Sequence, residues 1–142
     1  MPTVLIPLLL AADQISKLLA LRFLDPVPDR LLPGLYLTLV QNTGVAFGLF
    51  KGNPTLLGGF SLLVGFALLV YLARTRSAPL FIFALSLVAA GALGNAVDRL
   101  GRGWVVDFLD IGPGLWPVFN LADSFVVVGV VLLLLPWGRA RS

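Results

Sequence analysis

The chain has 142 residues, of which 58% are hydrophobic and only 12% are charged, and its formal net charge is +3. Soluble domains carry about 25% charged residues, so too few polar groups remain here to cover a globule in water. The composition therefore predicts an integral membrane protein. The basic residues are scattered rather than gathered in a stripe, which argues against nucleic acid as a partner.

Two residue types that dominate active sites are missing. The chain has no Cys and no His, and all seven acidic residues are Asp. A disulfide, a thiolate nucleophile and the commonest general base are thereby excluded. Ligation by Asp alone suits only hard, weakly held ions, so neither a metal nor another cofactor is expected. Any acid–base chemistry must rest mainly on the aspartates.

Four apolar segments predict an all-α integral membrane fold with four transmembrane helices in a single domain over residues 1–142. The predicted spans are residues 3–24, 55–73, 79–97 and 118–135. A span needs about 20 apolar residues to cross a hydrocarbon core. We interpret the first as a retained helix, since no basic region precedes it and no small-residue cleavage site follows.

The loops predict an orientation and a small sheet. Arg74 and Arg76 lie in one short connection, and Arg139 and Arg141 lie in the C-terminal tail, so the positive-inside rule places both termini in the cytoplasm. The outer loops are then residues 25–54 and 99–117. The β-prone runs 35–40 and 104–109 predict an extracytoplasmic sheet, and turn residues at 42–44 and 112–117 flank them.

The first polar cluster lies inside the first predicted span. Asp13 and Lys17 are four residues apart, so they share a helix face. An intramembrane acid is disfavoured by about 2.5–3.5 kcal/mol and usually has a partner or a function. Two interpretations follow, an ion pair that makes both charges tolerable and a contact with substrate.

The second cluster closes the third predicted span and contains Asn95, Asp98 and Arg99. An Asp–Arg pair there would brace a helix end. A carboxylate paired with Arg is held ionised and makes a poor general acid. A scaffold role is therefore favoured over direct catalysis.

The third cluster joins Asp107 of the outer β-prone run to Asp123 of the last span. Asn120 lies one turn before Asp123, and only a short turn separates the two acids, so both can reach a point just below the outer membrane surface. Paired carboxylates share a proton, as an aspartic protease requires. The same pair could bind a cation or brace loops. Asp110 is expected to be solvated.

Five motifs resemble the lipoprotein signal peptidase (signal peptidase II) family in the right order. The first and second are Asp13-Gln-Ile-Ser-Lys17 and Asn42-Thr-Gly-Val-Ala-Phe-Gly48. The third and fourth are Gly91-Ala-Leu-Gly-Asn-Ala-Val-Asp-Arg99 and Gly103-Trp-Val-Val-Asp-Phe108. The fifth is Phe119-Asn-Leu-Ala-Asp123. The resemblance covers nearly the whole chain.

The resemblance implies an aspartyl protease of the bacterial inner membrane with a four-helix membrane fold and a small extracytoplasmic sheet. Asp107 and Asp123 match the family's catalytic dyad. Other motif positions carry over as substrate-binding or site-shaping residues, namely Asp13, Lys17, Asn42, Gly44, Asn95, Asp98, Arg99 and Asn120. The implied partners are membrane lipid and a diacylglyceryl-modified prolipoprotein, cut just before its lipidated Cys. A monomer is expected.

Two other classes of function compete with this interpretation. Buried Asp, Asn and Lys also mark transporters and proton or cation paths. A structural subunit would use the same acids only to hold helices together. The polar residues gather toward the outer half and the second span is free of charge, which favours a one-sided active site.

The loop 35–50 is expected to act as a lid.

Overall fold

The computed structural model describes residues 1–45 and 49–136. Residues 46–48 of the second motif and the predicted topology signals Arg139 and Arg141 lie outside this part of the chain. The described part contains four helices and three strands. In chain order they are α1 (Pro2–Phe23), β1 (Asp29–Leu32), β2 (Leu35–Asn42), α2 (Pro54–Arg74), α3 (Pro79–Arg102), β3 (Val105–Asp110) and α4 (Leu121–Leu134).

The helices are apolar segments bounded by residues that start or stop a helix. Pro2, Pro54 and Pro79 each occupy the first turn of a helix, where a missing N–H costs nothing. Over the described residues, α1, α2 and α3 are long and apolar enough to cross a membrane. The fourth helix is apolar but has only 14 described residues. The chain is therefore a multi-pass membrane protein.

Two predicted helix boundaries are wrong. The third helix continues to Arg102 instead of ending at residue 97, because no helix breaker comes before Gly103, which ends it at φ 82°. The last helix begins at Leu121 rather than 118. Residues just before it are extended, and Phe119 pairs with Leu109 of β3. Asp123 consequently lies in the first turn of α4, not a turn and a half inside.

The predicted sheet is present, with three antiparallel strands in the order β1-β2-β3. Val40 of β2 faces Asp107 of β3, and Asn42 faces Val105. Strand β1 escaped prediction because its four residues are all exposed and show no alternation. Residues 35–42 of the predicted lid 35–50 form the central strand of the sheet and are paired on both sides.

The sheet packs against the helix bundle through β3, which contacts α1 and α3. Helix α3 packs against the other three helices and is the most buried of the long ones. Ile6, Leu72 and Leu85 belong to a core cluster between the helices. Ala20, Val106 and Phe108 form a second cluster that seats the sheet on α1. The sheet is therefore held rigidly over the bundle.

Gly94 lets α1 and α4 approach α3 closely. A Cβ at this position would lie 2.5 Å from Asp13 Oδ2. We expect Gly94→Ala to lower the free energy of unfolding by about 1–3 kcal/mol through overpacking. Gly101→Ala on the same helix is the control, because a Cβ there would meet nothing within 4 Å. Thermal unfolding in detergent measures the midpoint of each variant. Equal midpoints for Gly94→Ala and Gly101→Ala would contradict this packing.

Candidate active site

Asp107 and Asp123 are brought together by one short piece of backbone. The Phe119 carbonyl accepts hydrogen bonds from Phe108 N and Leu109 N at 2.9 and 2.8 Å, and Phe119 N donates to the Leu109 carbonyl at 2.9 Å. The chain just before α4 is thus tied to the strand that carries Asp107. Asn120 then caps α4, whose first turn presents Asp123. The predicted proximity of the two acids is confirmed.

Asp107 is almost fully buried and receives two amide hydrogen bonds. Asn42 Nδ2 donates to its Oδ2 at 2.9 Å, and Asn120 Nδ2 donates to its Oδ1 at 2.8 Å. Burial, and after it the negative charge of Asp123, raises the pKa of Asp107 to about 7. These causes outweigh the two amide donors, which favour the carboxylate. Asp107 is therefore able to hold a proton near neutral pH.

Asp123 is bound by its own helix cap and by a neighbouring helix. Asn95 Nδ2 of α3 donates to its Oδ1 at 2.8 Å, and Asn120 N donates to its Oδ2 at 3.3 Å. Asp123 N in turn donates to Asn120 Oδ1 at 2.9 Å, which completes a capping box. Asn120 thus contacts both acids at once, the Asp107 carboxyl through its side chain and the Asp123 carboxyl through its backbone N–H.

The raised pKa of Asp107 can be measured without substrate. We expect isotope-edited infrared spectroscopy to show a protonated carboxyl that ionises near pH 7 and is missing in Asp107→Asn. The sign follows from a pKa above the ordinary Asp value, so stability contributed by the protonated group is lost as pH rises through 7. A midpoint near pH 4 would contradict the described burial.

A buried ion network lies beside the two acids. Lys17 Nζ lies 2.8 Å from Asp13 Oδ2 and 3.0 Å from Asp98 Oδ2, and all three side chains are inaccessible to solvent. The predicted Asp13–Lys17 ion pair is confirmed. The predicted Asp98–Arg99 pair is wrong, since Asp98 pairs with Lys17 and, at 2.9 Å, with Arg102. Asp98 Oδ2 also accepts from Val106 N at 3.0 Å, which ties α3 to β3.

Arg99 points instead toward the loop that follows β2. Its guanidinium donates to the Gly44 carbonyl at 3.1 Å and to Ser61 Oγ at 3.3 Å. Gly44 N donates to Asn42 Oδ1 at 3.0 Å. Arg99 therefore fixes the turn that orients Asn42 toward Asp107. Arg99 Nε is buried and has no hydrogen-bond partner among the described residues.

Asp110 is buried rather than solvated, contrary to expectation. Its side chain accepts from Thr38 Oγ1 at 3.3 Å and from Gly112 N at 2.9 Å. It braces the turn after β3, and in the described part of the chain it makes no hydrogen bond to the other acids. Sequence position toward a turn suggested exposure, but the pairing of β2 and β3 covers it.

Cavities open onto both acids. One of about 430 Å³ is lined by Asn42, Asn95, Arg99 and Asp123 together with apolar residues of α2, α3 and α4. A second of about 370 Å³ reaches Asp107. Asn42, Val45, Pro117 and Val118 line both, so the two spaces adjoin. A third of about 410 Å³ reaches Asp123 and is otherwise lined mostly by apolar side chains.

Of the ten residues named from sequence, the structure gathers six around the cavities and three in the adjacent ion network. The six are Asn42, Gly44, Asn95, Arg99, Asp107 and Asp123, the three are Asp13, Lys17 and Asp98, and Asn120 lies buried between the two groups. Ser61 and Arg102 were missed. Gln14, which the sequence placed in the first polar cluster and in the first motif, donates to Asp98 at 3.1 Å.

Asn120 joins the buried Asp107 carboxyl through its side chain and the half-buried Asp123 carboxyl through its backbone N–H, beside cavities in a membrane protein. Two neighbouring carboxyls are the arrangement that an aspartic protease uses. Residues 5–137 match the family model described as signal peptidase (SPase) II. The chain belongs to the signal peptidase II family, and it is a protease of that type.

Curated relatives and solved structures agree. The chain is 48% identical to the lipoprotein signal peptidase of Syntrophomonas wolfei over 90% of this chain and 86% of that one. It is 43% identical to the lipoprotein signal peptidase of Moorella thermoacetica over 98% and 97%. A solved structure described as a bacterial membrane enzyme superposes with a TM-score of 0.82 at 30% identity, over 93% of this chain and 84% of that one. Neither comparison supports the transporter alternative.

Proposed function

We propose that this protein is an aspartic endopeptidase that removes the signal peptide from diacylglyceryl-modified prolipoproteins by cutting just before the lipidated Cys. The observation that carries the proposal is the pair Asp107 and Asp123, bridged by Asn120 beside the cavities. Membership of the signal peptidase II family supplies the substrate class. We propose a single domain over residues 1–142 that works as a monomer without metal or other cofactor.

The reaction needs one acid ionised and the other protonated. The ionised carboxylate takes a proton from water while the water oxygen bonds to the scissile carbonyl carbon, and the protonated acid gives its proton to the carbonyl oxygen. The resulting diol collapses when the amide nitrogen receives a proton from the first acid, a diol proton returns to the second, and the C–N bond breaks. The raised pKa of Asp107 suits a shared proton.

The neighbouring residues shape this chemistry. Asn42, Asn95 and Asn120 donate to the dyad and fix its carboxyl planes. Arg99 lines the first cavity, so its side chain is placed to contact the bound peptide. Gly44 holds the turn beneath Asn42. Asp13, Lys17 and Asp98 act from behind and do not touch substrate, because they are fully buried.

We propose four transmembrane helices, with both termini in the cytoplasm of a bacterium and the site toward the outer face of its inner membrane. Helix α4 is short because it begins deep: Ala122 N donates to Asp13 Oδ1 at 2.9 Å. Asp13 lies ten residues before the end of α1, or about 15 Å at ~1.5 Å per residue. The 14 residues of α4, about 21 Å, then suffice to cross the remainder.

The third cavity fits a lipidated substrate. Its apolar wall is formed by Ile111, Trp116, Phe119, Val127 and Val128, and Asp123 lies at its edge. An acyl chain could lie along this wall while the modified Cys stays near the dyad. The membrane would also keep bulk water scarce around the acids, which favours proton sharing.

Cleavage by the purified protein in detergent tests the proposal. A prolipoprotein carrying diacylglyceryl on its lipobox Cys is compared with the same precursor unmodified. We expect cleavage of the lipidated precursor and at least a tenfold lower rate for the unmodified one, since the lost acyl contacts of about 0.8 kcal/mol per buried CH₂ no longer contribute. Equal rates would contradict the lipid requirement, and an intact lipidated precursor would contradict the peptidase itself.

A further inference from the structure

Each acid of the dyad accepts a hydrogen bond from an asparagine, and the oxygens of these two asparagines accept from different kinds of donor. Asn42, which donates to Asp107, has its own oxygen fixed by the neutral backbone N–H of Gly44 at 3.0 Å. Asn95, which donates to Asp123, has its oxygen fixed by the Lys17 ammonium at 3.2 Å. One amide is therefore backed by a cation and the other is not.

Lys17 has a hydrogen bond beyond those that balance its charge. An ammonium has three donors. Asp13 and Asp98 accept two of them, at 2.8 and 3.0 Å, and with Arg102, which also pairs with Asp98, the cluster holds two charges of each sign. The third donor reaches Asn95 Oδ1. Because Lys17 is fully buried, its third donor also needs an acceptor, and the acceptor is an amide that contacts the dyad.

The contact decides which way the Asn95 amide faces. An Asn side chain can turn either its oxygen or its NH₂ toward a neighbour, and an ammonium accepts nothing. With its oxygen bound to Lys17, Asn95 must turn its NH₂ toward Asp123. Asn120 Nδ2 also lies 3.2 Å from Asn95 Oδ1, but that NH₂ group is shared with Asp107 at 2.8 Å and the Val106 carbonyl at 3.3 Å.

Resting on the proposed function, we propose that Lys17 is a positioning residue which, through the Asn95 amide, keeps Asp123 ionised and leaves the shared proton on Asp107. The other charged groups near Asp123 are Arg99 of α3 and Asp107 of β3. Arg99 is committed to Gly44 and Ser61. Asp123 is then the base that takes the proton from water, and Asp107 is the acid that protonates the scissile carbonyl.

The test is the pH dependence of cleavage of the lipidated precursor by Lys17→Met. Removing the cation disfavours carboxylates in the dyad, so both limbs of the pH–rate profile should move toward alkaline pH by about one unit. At neutral pH kcat should fall about 10–100-fold, as for other supporting residues. KM should stay within about twofold, because Lys17 is inaccessible to substrate.

Two further variants separate this role from simple support of the fold. Arg102→Gln is the matched control, since Arg102 also pairs with Asp98 but its side chain is 25% exposed and, among the contacts the structure gives, it reaches neither Asn95 nor the dyad. Its pH profile should superimpose on that of the parent. Asp13→Asn with Lys17→Met removes one charge of each sign, keeps the cluster balanced, and should show the same alkaline shift as Lys17→Met.

Each outcome bears on the inference. A parent that cleaves and Lys17 variants whose profiles match it would overturn the positioning role while the peptidase function stands. A double variant that loses its thermal transition would show that Lys17 serves folding, and would also overturn it. A parent that fails to cleave would contradict the proposed function itself. An alkaline shift in both Lys17 variants but not in Arg102→Gln supports the inference.

Discussion

Asp107→Asn and Asp123→Asn should each reduce the rate of precursor cleavage by about 10²–10⁴-fold, because each removes one partner of the general acid–base pair. The double variant should cleave at nearly the same rate as the less active of the two single variants, since two residues that act as a unit give non-additive losses. Initial rates on the lipidated precursor, measured at the optimum pH of the parent, provide the comparison.

The matched control is Asp110→Asn on the same strand. Asp110 is about as buried as Asp107 but contacts Thr38 and Gly112 instead. The change should leave the rate within about threefold of the parent, as expected for a group outside the reacting pair. Gel filtration and thermal unfolding must show folded protein for all three. A rate loss shared equally by Asp110→Asn would mean that any buried acid of the sheet matters, and would remove the special role of the dyad.

Of the substitutions considered for their effect on stability, Asp98→Asn should cause the largest loss, about 3 kcal/mol in the free energy of unfolding. The change leaves the buried cluster one negative charge short, with Lys17 paired only to Asp13. Breaking a buried ion network by removing one partner costs about 3–5 kcal/mol, because the other charge remains buried. It also weakens the contact to Val106 N that ties α3 to the sheet.

The same substitution at an exposed acid serves as the control. Asp29→Asn in β1 changes a solvated side chain and should give no measurable change in the thermal midpoint. The two variants have the same chemical change in one chain. Equal midpoints for Asp98→Asn and the parent would contradict a buried ion network.

Sequence reasoning reached the dyad because its elements are short-range. Asp107 and Asp123 lie on either side of one turn, so their proximity followed from spacing, and the Asp13–Lys17 pair followed from helical periodicity. The Asp98 partnership did not follow. It depends on how far α3 extends and on how α1 packs against it, and neither is encoded in the spacing of Asp98 and Arg99.

The boundaries were missed for a related reason. Helix α4 begins late because Phe119 pairs with a strand from elsewhere in the chain, and this tertiary contact overrides the apolar character of residues 118–119. Strand β1 is held by pairing with β2 and carries no pattern of its own. The burial of Asp110 likewise depends on a neighbouring strand. Local patterns predicted the elements, whereas contacts between elements decided their ends.

The most direct test of the central claim is the mass of the products formed from one diacylglyceryl-modified prolipoprotein. The account predicts two products from a single cut, a free signal peptide and a lipoprotein that begins at the lipidated Cys, and neither product with Asp107→Asn or Asp123→Asn. Intact precursor with the folded parent protein, or the same two products from either variant at the parental rate, would contradict it.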